Sequence, residues 1–170
     1  MSTFKKISPN EIPRNPIDMI SNEWMLVSSE KEGRVNTMTA SWGGVGFLWG
    51  KNIAFIFIRP QRHTKKFIDS SDTFSLTFFD KKYREDLAYF GSVSGSEEDK
   101  VAKIGYKVLH EDGVPYFEEA NLSIICKNVY KQKLDPIGFF DESLIKKWYP
   151  NSDFHEIYVA EITDVLVKEN

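Results

Sequence analysis

Two short segments of this chain combine polar side chains in patterns suited to ligand binding. Residues 36–44 alternate small hydroxyl side chains with larger groups, and residues 58–64 contain two arginines, a histidine and a threonine just before a predicted helix. An apolar run, residues 52–57, separates the two segments. A hydroxyl-rich strand, a buried strand and a cationic helix entrance together indicate a flat ligand that carries a phosphate group.

The cationic segment has the side chains that a phosphate group requires. Arg59 and Arg62 can each form charge-assisted, bidentate hydrogen bonds to phosphate. The following helix would add free N–H groups and a partial positive charge at its first turn. Thr64 is predicted to cap that helix and to donate its hydroxyl, with His63 beside it. The alternative is an ordinary helix start with solvated basic residues, which is a common arrangement.

The hydroxyl-rich segment is predicted to be a strand with two different faces. Because side chains alternate along a strand, Thr37, Thr39 and Ser41 share one face, while Asn36 and Met38 lie on the other. Amide and hydroxyl groups match the carbonyl and N–H groups of a flat heterocycle. Two tryptophans can cover the ring: Trp42 and Trp49. The alternative is a solvent-facing stripe of Thr and Ser on an edge strand.

A third segment of small residues lies later in the chain. Residues 91–95 read Gly-Ser-Val-Ser-Gly, and such small residues allow a backbone to approach a ligand closely. Lys100 follows and could reach an anionic ligand. The alternative is a plain loop that precedes a capped helix start.

The remaining reactive side chains lack the spacing of a catalytic or metal site. Cys126 is the only cysteine, which excludes a disulfide within the chain, and its apolar surroundings predict a buried core residue. His63, His110 and His155 show no metal-ligand spacing, and the last two are interpreted as exposed or structural. We therefore predict no metal site and no side-chain acid, base or nucleophile.

Composition narrows the class of protein. The chain has 170 residues, of which 41% are hydrophobic and 28% charged, as expected for one globular domain over residues 1–170. A formal net charge of -3 argues against a general nucleic-acid or membrane-surface binder. No apolar run approaches the roughly 18 residues of a membrane span. The N-terminus lacks the apolar stretch of a signal peptide, so the predicted location is cytoplasmic.

The elements that must position these residues are predicted to be mainly strands. Glu32 and Gly33 are predicted to turn a hairpin, and Ser96 to open a capping box. Residues 1–16, with three prolines, are predicted to form an extended N-terminal arm. The predicted strands cover residues 24–29, 34–42, 52–58, 73–78, 120–134 (bent or bulged) and 155–167, and the predicted short helices cover 64–70, 83–90, 96–104 and 142–149. Six or seven strands in no βαβ rhythm predict a closed antiparallel barrel with helical insertions.

Taken in order, these motifs resemble the flavin reductase-like family of FMN-binding split barrels, and within it the flavoredoxin-like subgroup. The resemblance rests on residues 36–43, residues 59–64, the Ser-Gly pair at 94–95 and the Asp-Lys pair at 99–100. It runs in the same order from about residue 24 to residue 167. It implies a mainly β fold, an antiparallel, Greek-key-like split β-barrel with short helical insertions. It also implies a homodimer with non-covalent FMN bound near the subunit interface.

The resemblance further implies which residues contact FMN. Arg59, Arg62 and Thr64 correspond to phosphate-side contacts, with His63 between the last two and Ser41 as a further phosphate-side hydroxyl. Lys100 corresponds to an additional cationic contact. The residues that correspond to the isoalloxazine and ribityl side are Asn36, Thr37, Met38 and Thr39.

Electron transfer through bound FMN is the activity that the resemblance implies, and three hypotheses stay open. In the first, the protein is a flavin reductase-type enzyme and NADH or NADPH reduces the flavin. In the second, it is a flavoredoxin-type carrier that passes electrons through FMN to a redox partner protein. In the third, it is a flavin-binding module without turnover, or a barrel that binds another ligand.

Overall fold

The structure, a computed structural model, describes residues 3–169. Within these residues the strands are β1 (Phe4–Ile7), β2 (Met25–Lys31), β3 (Arg34–Ala40), β4 (Gly43–Leu48), β5 (Lys51–Ile58), β6 (Thr73–Phe78), β7 (Val108–Glu111), β8 (Val114–Phe117), β9 (Leu122–Lys133) and β10 (Glu156–Lys168). The α-helices are α1 (Pro16–Asp18), α2 (Thr64–Ser71), α3 (Arg84–Ser92), α4 (Lys100–Ile104) and α5 (Glu142–Trp148). Every helix in this range is too short or too polar to span a membrane.

Eight of the strands form one antiparallel sheet. The order of its strands is β3-β2-β6-β9-β10-β5-β4, and β1 pairs with the C-terminal end of β10. The long strands β9 and β10 lie at the centre, and their pairing shifts register at two places. Such shifts bend a strand, so the predicted bent or bulged strand over residues 120–134 is confirmed. The remaining strands, β7 and β8, form a separate hairpin.

The first five residues of β9 are buried on both faces of the sheet. Leu122, Ile124 and Cys126 of β9 belong to the main core cluster, whereas Ile125 packs with Val114 of the β7–β8 hairpin on the opposite face. This division follows the alternation of side chains along a strand. Cys126 is buried, and burial raises the pKa of its thiol, so the prediction of a core cysteine is confirmed.

A second apolar cluster fixes α3 and α4 against the edge strand β3. Leu87 and Phe90 lie three residues apart on one face of α3, and both are buried with Tyr106 and Phe117. Both helices contact β3. The last turn of α3 and the loop that follows it are therefore held beside the hydroxyl-rich strand.

Two tight turns organise the hairpins at the ends of the sheet. Glu32 and Gly33 both have positive φ and join β2 to β3, which confirms the predicted turn. Trp49 and Gly50 join β4 to β5 in the same way. Strand β4 was not predicted, because glycine is depleted in strands and this one contains three. In the structure Gly44 makes room for the Phe55 ring, which a side chain at this position would strike.

The prediction of six or seven strands is wrong, since the described residues contain ten. The β7–β8 hairpin was missed although Asp112 and Gly113 form a recognisable turn signal, and Pro115 weakened the strand pattern. The predicted N-terminal arm is only partly an arm. Its residues Phe4–Ile7 form β1 in the sheet, and Met1 and Ser2 lie outside the described residues.

Two predicted helix caps are wrong. His63 occupies the cap position of α2, and Thr64 is the first helical residue, so its hydroxyl is released from capping. In α4 the cap is Asp99, whose carboxylate accepts a hydrogen bond from Ala102 N at 3.0 Å. Ser96 instead lies in the preceding turn, where its hydroxyl contacts that of Ser94. An aspartate stabilises this helix start more than a serine does, because its negative charge also interacts favourably with the positive end of the helix dipole.

Candidate functional site

Two adjoining cavities lie along β3, and we name them by the side chains that line them. The cationic cavity, of about 160 Å³, is lined by Asn36, Met38, Gln61, Arg62, His63, Thr64, Ser92, Val93, Ser94, Gly95 and Lys100. The aromatic cavity, of about 240 Å³, is lined by Met38, Thr39, Ala40, Ser41, Trp42, Phe57, Arg59, Arg62, Trp148 and His155. Because Met38 and Arg62 line both, the two cavities are parts of one groove.

Thr64 lies on the floor of the cationic cavity with its hydroxyl hydrogen available to a ligand. Strand β5 ends at Ile58, and a turn closed by the bond from Arg62 N to Arg59 O leads into α2. Thr64 is buried, and Asn36 Nδ2 donates to its Oγ1 at 2.8 Å. Since the oxygen already accepts from Asn36, the O–H can donate to an anion in the cavity.

Two cations hold the last turn of α3 and face the cationic cavity. Arg62 Nη1 donates to Gly91 O, and Lys100 Nζ donates to Phe90 O, each at 2.9 Å. Burial, together with the smaller effect of the Arg62 charge, lowers the pKa of Lys100 to about 8, and the charge of Glu98 opposes the shift. Burial also lowers the pKa of the Arg62 guanidinium.

The charged side chains that line this cavity are all cationic. No aspartate or glutamate is among the described residues that line it. Burial lowers the pKa of His63, and the charges of Lys66, Arg34 and Lys100 lower it further. A buried ammonium beside a guanidinium, with no carboxylate lining the same cavity, leaves unpaired positive charge that an anion would neutralise. The cationic cavity is therefore suited to a phosphate group.

The aromatic cavity is walled by large rings. Trp42 and Trp148 meet edge to face with centroids 4.9 Å apart, and His155 lies 5.2 Å from Trp42. Phe57 contributes a further wall from β5. Aromatic walls of this kind suit the face of a flat conjugated ring. The groove thus offers a site for a ring at one end and a site for an anion at the other.

The structure places Arg59 with the aromatic cavity and away from the cationic one. Its Nη1 pairs with Asp153 Oδ2 at 2.6 Å, and its Nη2 donates to Trp148 O at 2.8 Å. Although Arg59 and Arg62 are close in sequence, the turn between them sends the guanidinium groups in different directions. The phosphate-side role implied for Arg59 is therefore not supported by its position, since its donors fix the chain that follows α5.

The hydroxyls of β3, and that of Ser41 just after it, do not lie where the prediction placed them. Thr37 is buried and does not line either cavity, because its Oγ1 donates to Val27 O and accepts from Ser28. Thr39 lines the aromatic cavity while its hydroxyl donates to Leu87 O. Ser41 also lines the aromatic cavity, not the cationic one where a phosphate-side hydroxyl would lie. Any contact of Thr37 with a ligand would use backbone atoms.

The structure adds residues that sequence patterns did not single out. Trp148 is the last residue of α5 and His155 immediately precedes β10, and no local motif marks either one. His155 is interpreted from the sequence as exposed or structural, and in the structure it is buried, in contact with Tyr149, and also lines the aromatic cavity. Of the two tryptophans considered for covering a ring, Trp42 lines that cavity, whereas Trp49 contacts Tyr130 at a different surface. The tryptophan that closes the cavity with Trp42 is thus Trp148.

One family profile and several solved structures of other proteins match this chain. The profile of the flavin reductase like domain matches residues 18–170. An FMN-binding domain of a flavin reductases-like enzyme from Shewanella baltica superposes with a TM-score of 0.71, at 15% identity, over 98% of this chain and 78% of its own. Flavoredoxin from Methanosarcina acetivorans superposes with a TM-score of 0.68, at 19% identity, over 97% of this chain and 76% of its own. An FMN-binding protein from Thermus thermophilus, with bound p-hydroxybenzaldehyde, superposes with a TM-score of 0.67, at 22% identity, over 96% of this chain and 79% of its own. No curated protein sequence matches the chain significantly.

Proposed function

The chain belongs to the flavin reductase-like domain family and has its mainly antiparallel split-barrel fold. On that premise we propose that it is an FMN-binding oxidoreductase that transfers electrons from NADH or NADPH to flavin. The observation that carries the proposal is the cationic cavity, where Arg62 and Lys100 face a small space with no carboxylate among its described lining residues. The adjoining aromatic cavity provides the second half of the binding site.

The residues of the groove fit FMN in type and in order. Arg62, Lys100 and the Thr64 hydroxyl would hold the phosphate, together with the N–H groups at the start of α2. His63 stands beside them with its ring against Phe67, at a centroid distance of 5.2 Å. Arg62 lines both cavities, so it would stand where the ribityl chain passes from one to the other.

The protein's own contribution to the reaction would be binding and orientation. FMN, when bound, supplies a conjugated ring that accepts and releases electrons. Trp42 and Phe57 would exclude water from one end of that ring, and Met38 would pack along the groove. The site needs no side-chain nucleophile, which agrees with the buried, inert position of Cys126.

The decisive experiment is an absorption spectrum of the purified protein with FMN, before and after anaerobic addition of NADH or NADPH. We expect a bound flavin spectrum and its bleaching within stopped-flow times. If flavin stays oxidised with both donors, the reductase assignment fails. If the protein neither carries nor takes up FMN, both flavin assignments fail.

The second candidate function is a flavoredoxin-type carrier that passes electrons to a redox partner protein. Exposed apolar side chains favour it: Trp148, which lines the aromatic cavity, is 39% exposed, and Ile137 and Phe140, which precede α5 in the chain, are almost fully exposed. A protein partner could cover these residues close to the flavin ring. Bleaching by dithionite with no bleaching by NADH or NADPH would select this function.

We also propose that the protein is a homodimer that uses β4. This strand ends the sheet, so its outer backbone groups are unpaired by the described chain, and Phe47 and Trp49 beside it are 73% and 59% exposed. We expect Phe47→Glu to shift the mass from dimer to monomer in light scattering, because a charge would be buried at the interface. Phe140→Glu, an equally drastic change at another exposed phenylalanine, should leave the dimer intact. A wild-type monomer would contradict the proposal.

Gly95→Ala tests the loop that closes the cationic cavity. An added methyl group would lie 1.9 Å from Asn36 Oδ1, so either the loop or the amide that holds Thr64 must move. We expect FMN affinity to fall by about tenfold, as overpacking of this kind costs about 1–3 kcal/mol. Titration of flavin fluorescence measures the effect. Gly138→Ala, where the methyl group meets no atom within 4 Å, is the control and should bind FMN normally.

A further inference from the structure

The two ring nitrogens of His155 lie in different surroundings. Nδ1 is 2.8 Å from Tyr149 Oη, in a buried contact. The ring lies 5.2 Å from that of Trp42 and 6.3 Å from that of Phe57, and both of these line the aromatic cavity. Nε2 has no hydrogen-bond partner within residues 3–169, so it is the nitrogen that remains for a ligand.

The contact with Tyr149 decides which nitrogen of His155 carries the proton. Burial raises the pKa of Tyr149, while burial and the Arg59 charge lower the pKa of His155 to about 4, against a smaller opposing effect of Asp153. Both groups are therefore neutral near pH 7. The phenol O–H has no other acceptor in the described part of the chain, so it donates to Nδ1. A neutral imidazole that accepts at Nδ1 carries its proton on Nε2.

Tyr149 is itself fixed on two sides. Its ring stacks on Phe154 with centroids 4.6 Å apart and planes at 23°, and the Arg59 guanidinium lies 5.1 Å from its centroid. Arg59 is anchored in turn by its ion pair with Asp153. The N–H of His155 is thus oriented before any ligand arrives, which reduces the cost of ordering it on binding.

The walls of the aromatic cavity define what this donor would meet. Trp42, Phe57 and Trp148 suit the faces and edges of a flat conjugated ring, and no carboxylate is among the described lining residues. We propose that His155 Nε2–H donates a hydrogen bond to a carbonyl oxygen of a flat conjugated ring in this cavity, and that Tyr149 is the positioning residue that keeps the proton on Nε2. The inference rests on the proposed function, because the carbonyl can belong to the flavin ring or to a second ring such as nicotinamide.

The tautomer is tested first, on flavin-free protein with ¹⁵N-labelled histidine. The nitrogen shifts of wild-type His155 should show an unprotonated Nδ1 and a protonated Nε2 near pH 7. Tyr149→Phe removes only the hydroxyl, and the proton should then be shared between the two nitrogens. Tyr106→Phe removes a buried hydroxyl elsewhere in the structure and should leave the His155 signals unchanged. A wild-type proton on Nδ1, or no change in Tyr149→Phe, would overturn the proposal.

Binding is tested next, by titrating FMN into the protein and then nicotinamide into the FMN-loaded protein. His155→Phe should weaken one of the two by roughly three- to tenfold, the loss of one hydrogen bond, and His155→Gln, which keeps an N–H donor, should recover most of it. A loss for FMN alone assigns the carbonyl to the flavin, and a loss for nicotinamide alone assigns it to the second ring. If neither affinity changes, the proposal is wrong. If wild-type protein does not bind FMN, the proposed function fails, and nicotinamide is then titrated into flavin-free protein to test His155 by itself.

Discussion

Replacing Arg62 with alanine should weaken FMN binding by about 1.5–3 kcal/mol, or about 10- to 150-fold in Kd. Arg62 is half-buried, donates to Gly91 O and lines both cavities, so its guanidinium can reach a phosphate as a charge-assisted donor in a site shielded from water. Isothermal titration with FMN and with riboflavin measures the effect. Riboflavin lacks the phosphate, so its affinity should change little.

Two further variants distinguish a direct contact of Arg62 with the phosphate from the general electrostatic field of nearby cations. Lys66→Ala removes a neighbouring cation whose side chain is exposed on α2, and it should change FMN affinity by no more than about twofold, because exposed charges are screened. Arg62→Lys keeps the charge but loses the planar fork, so it should recover only part of the affinity. Unchanged FMN affinity in Arg62→Ala would show that the phosphate lies elsewhere.

Replacing Lys100 with methionine should have two opposite effects. FMN affinity should fall by about 10- to 100-fold, because a buried cation that faces the phosphate is lost. The flavin-free protein should become more stable near pH 7, by about 1–3 kcal/mol. Lys100 is only 3% exposed and its pKa falls from 10.5 to about 8, so the folded protein carries the cost of a poorly solvated ammonium, partly offset by its bond to Phe90 O. Urea denaturation and FMN titration measure the two effects.

The pH dependence of the wild-type protein follows from the same group. Since the pKa of Lys100 is lower when folded than when unfolded, the unfolded chain binds more protons between about pH 8 and 10.5, and Lys100 makes stability rise with pH across that window. Phosphate favours the charged form, so FMN affinity should fall as pH rises through about 8. Both effects of Lys100 should be absent from Lys100→Met, so its stability should rise less with pH across this window and its FMN affinity should not fall through about pH 8. Lys103→Met on the same helix, where the lysine is exposed and paired with Glu98, should retain them.

Much of the fold could be predicted from local patterns. The turn at Glu32–Gly33, the strand over residues 73–78 and the apolar face of α3 each depend on neighbouring residues, and each was confirmed. Strand β4 and the β7–β8 hairpin were missed because they contain glycine or proline, which are rare in strands. Their conformation is stabilised by pairing with neighbouring strands. The strand propensity of individual residues is a weak predictor where pairing with other strands decides the conformation.

The cation-rich helix start and the resemblance to flavin-binding barrels were properties of the sequence by itself, because side-chain chemistry and spacing along one segment are local. Only the tertiary structure decided which cations share a cavity. It turned Arg59 to Asp153 and brought Lys100 beside Arg62. It also placed His155 opposite Trp42, where no local pattern had marked it. These contacts join residues that are distant in sequence, and they arise from strand pairing and from helices packed on β3, which set burial and hence charge.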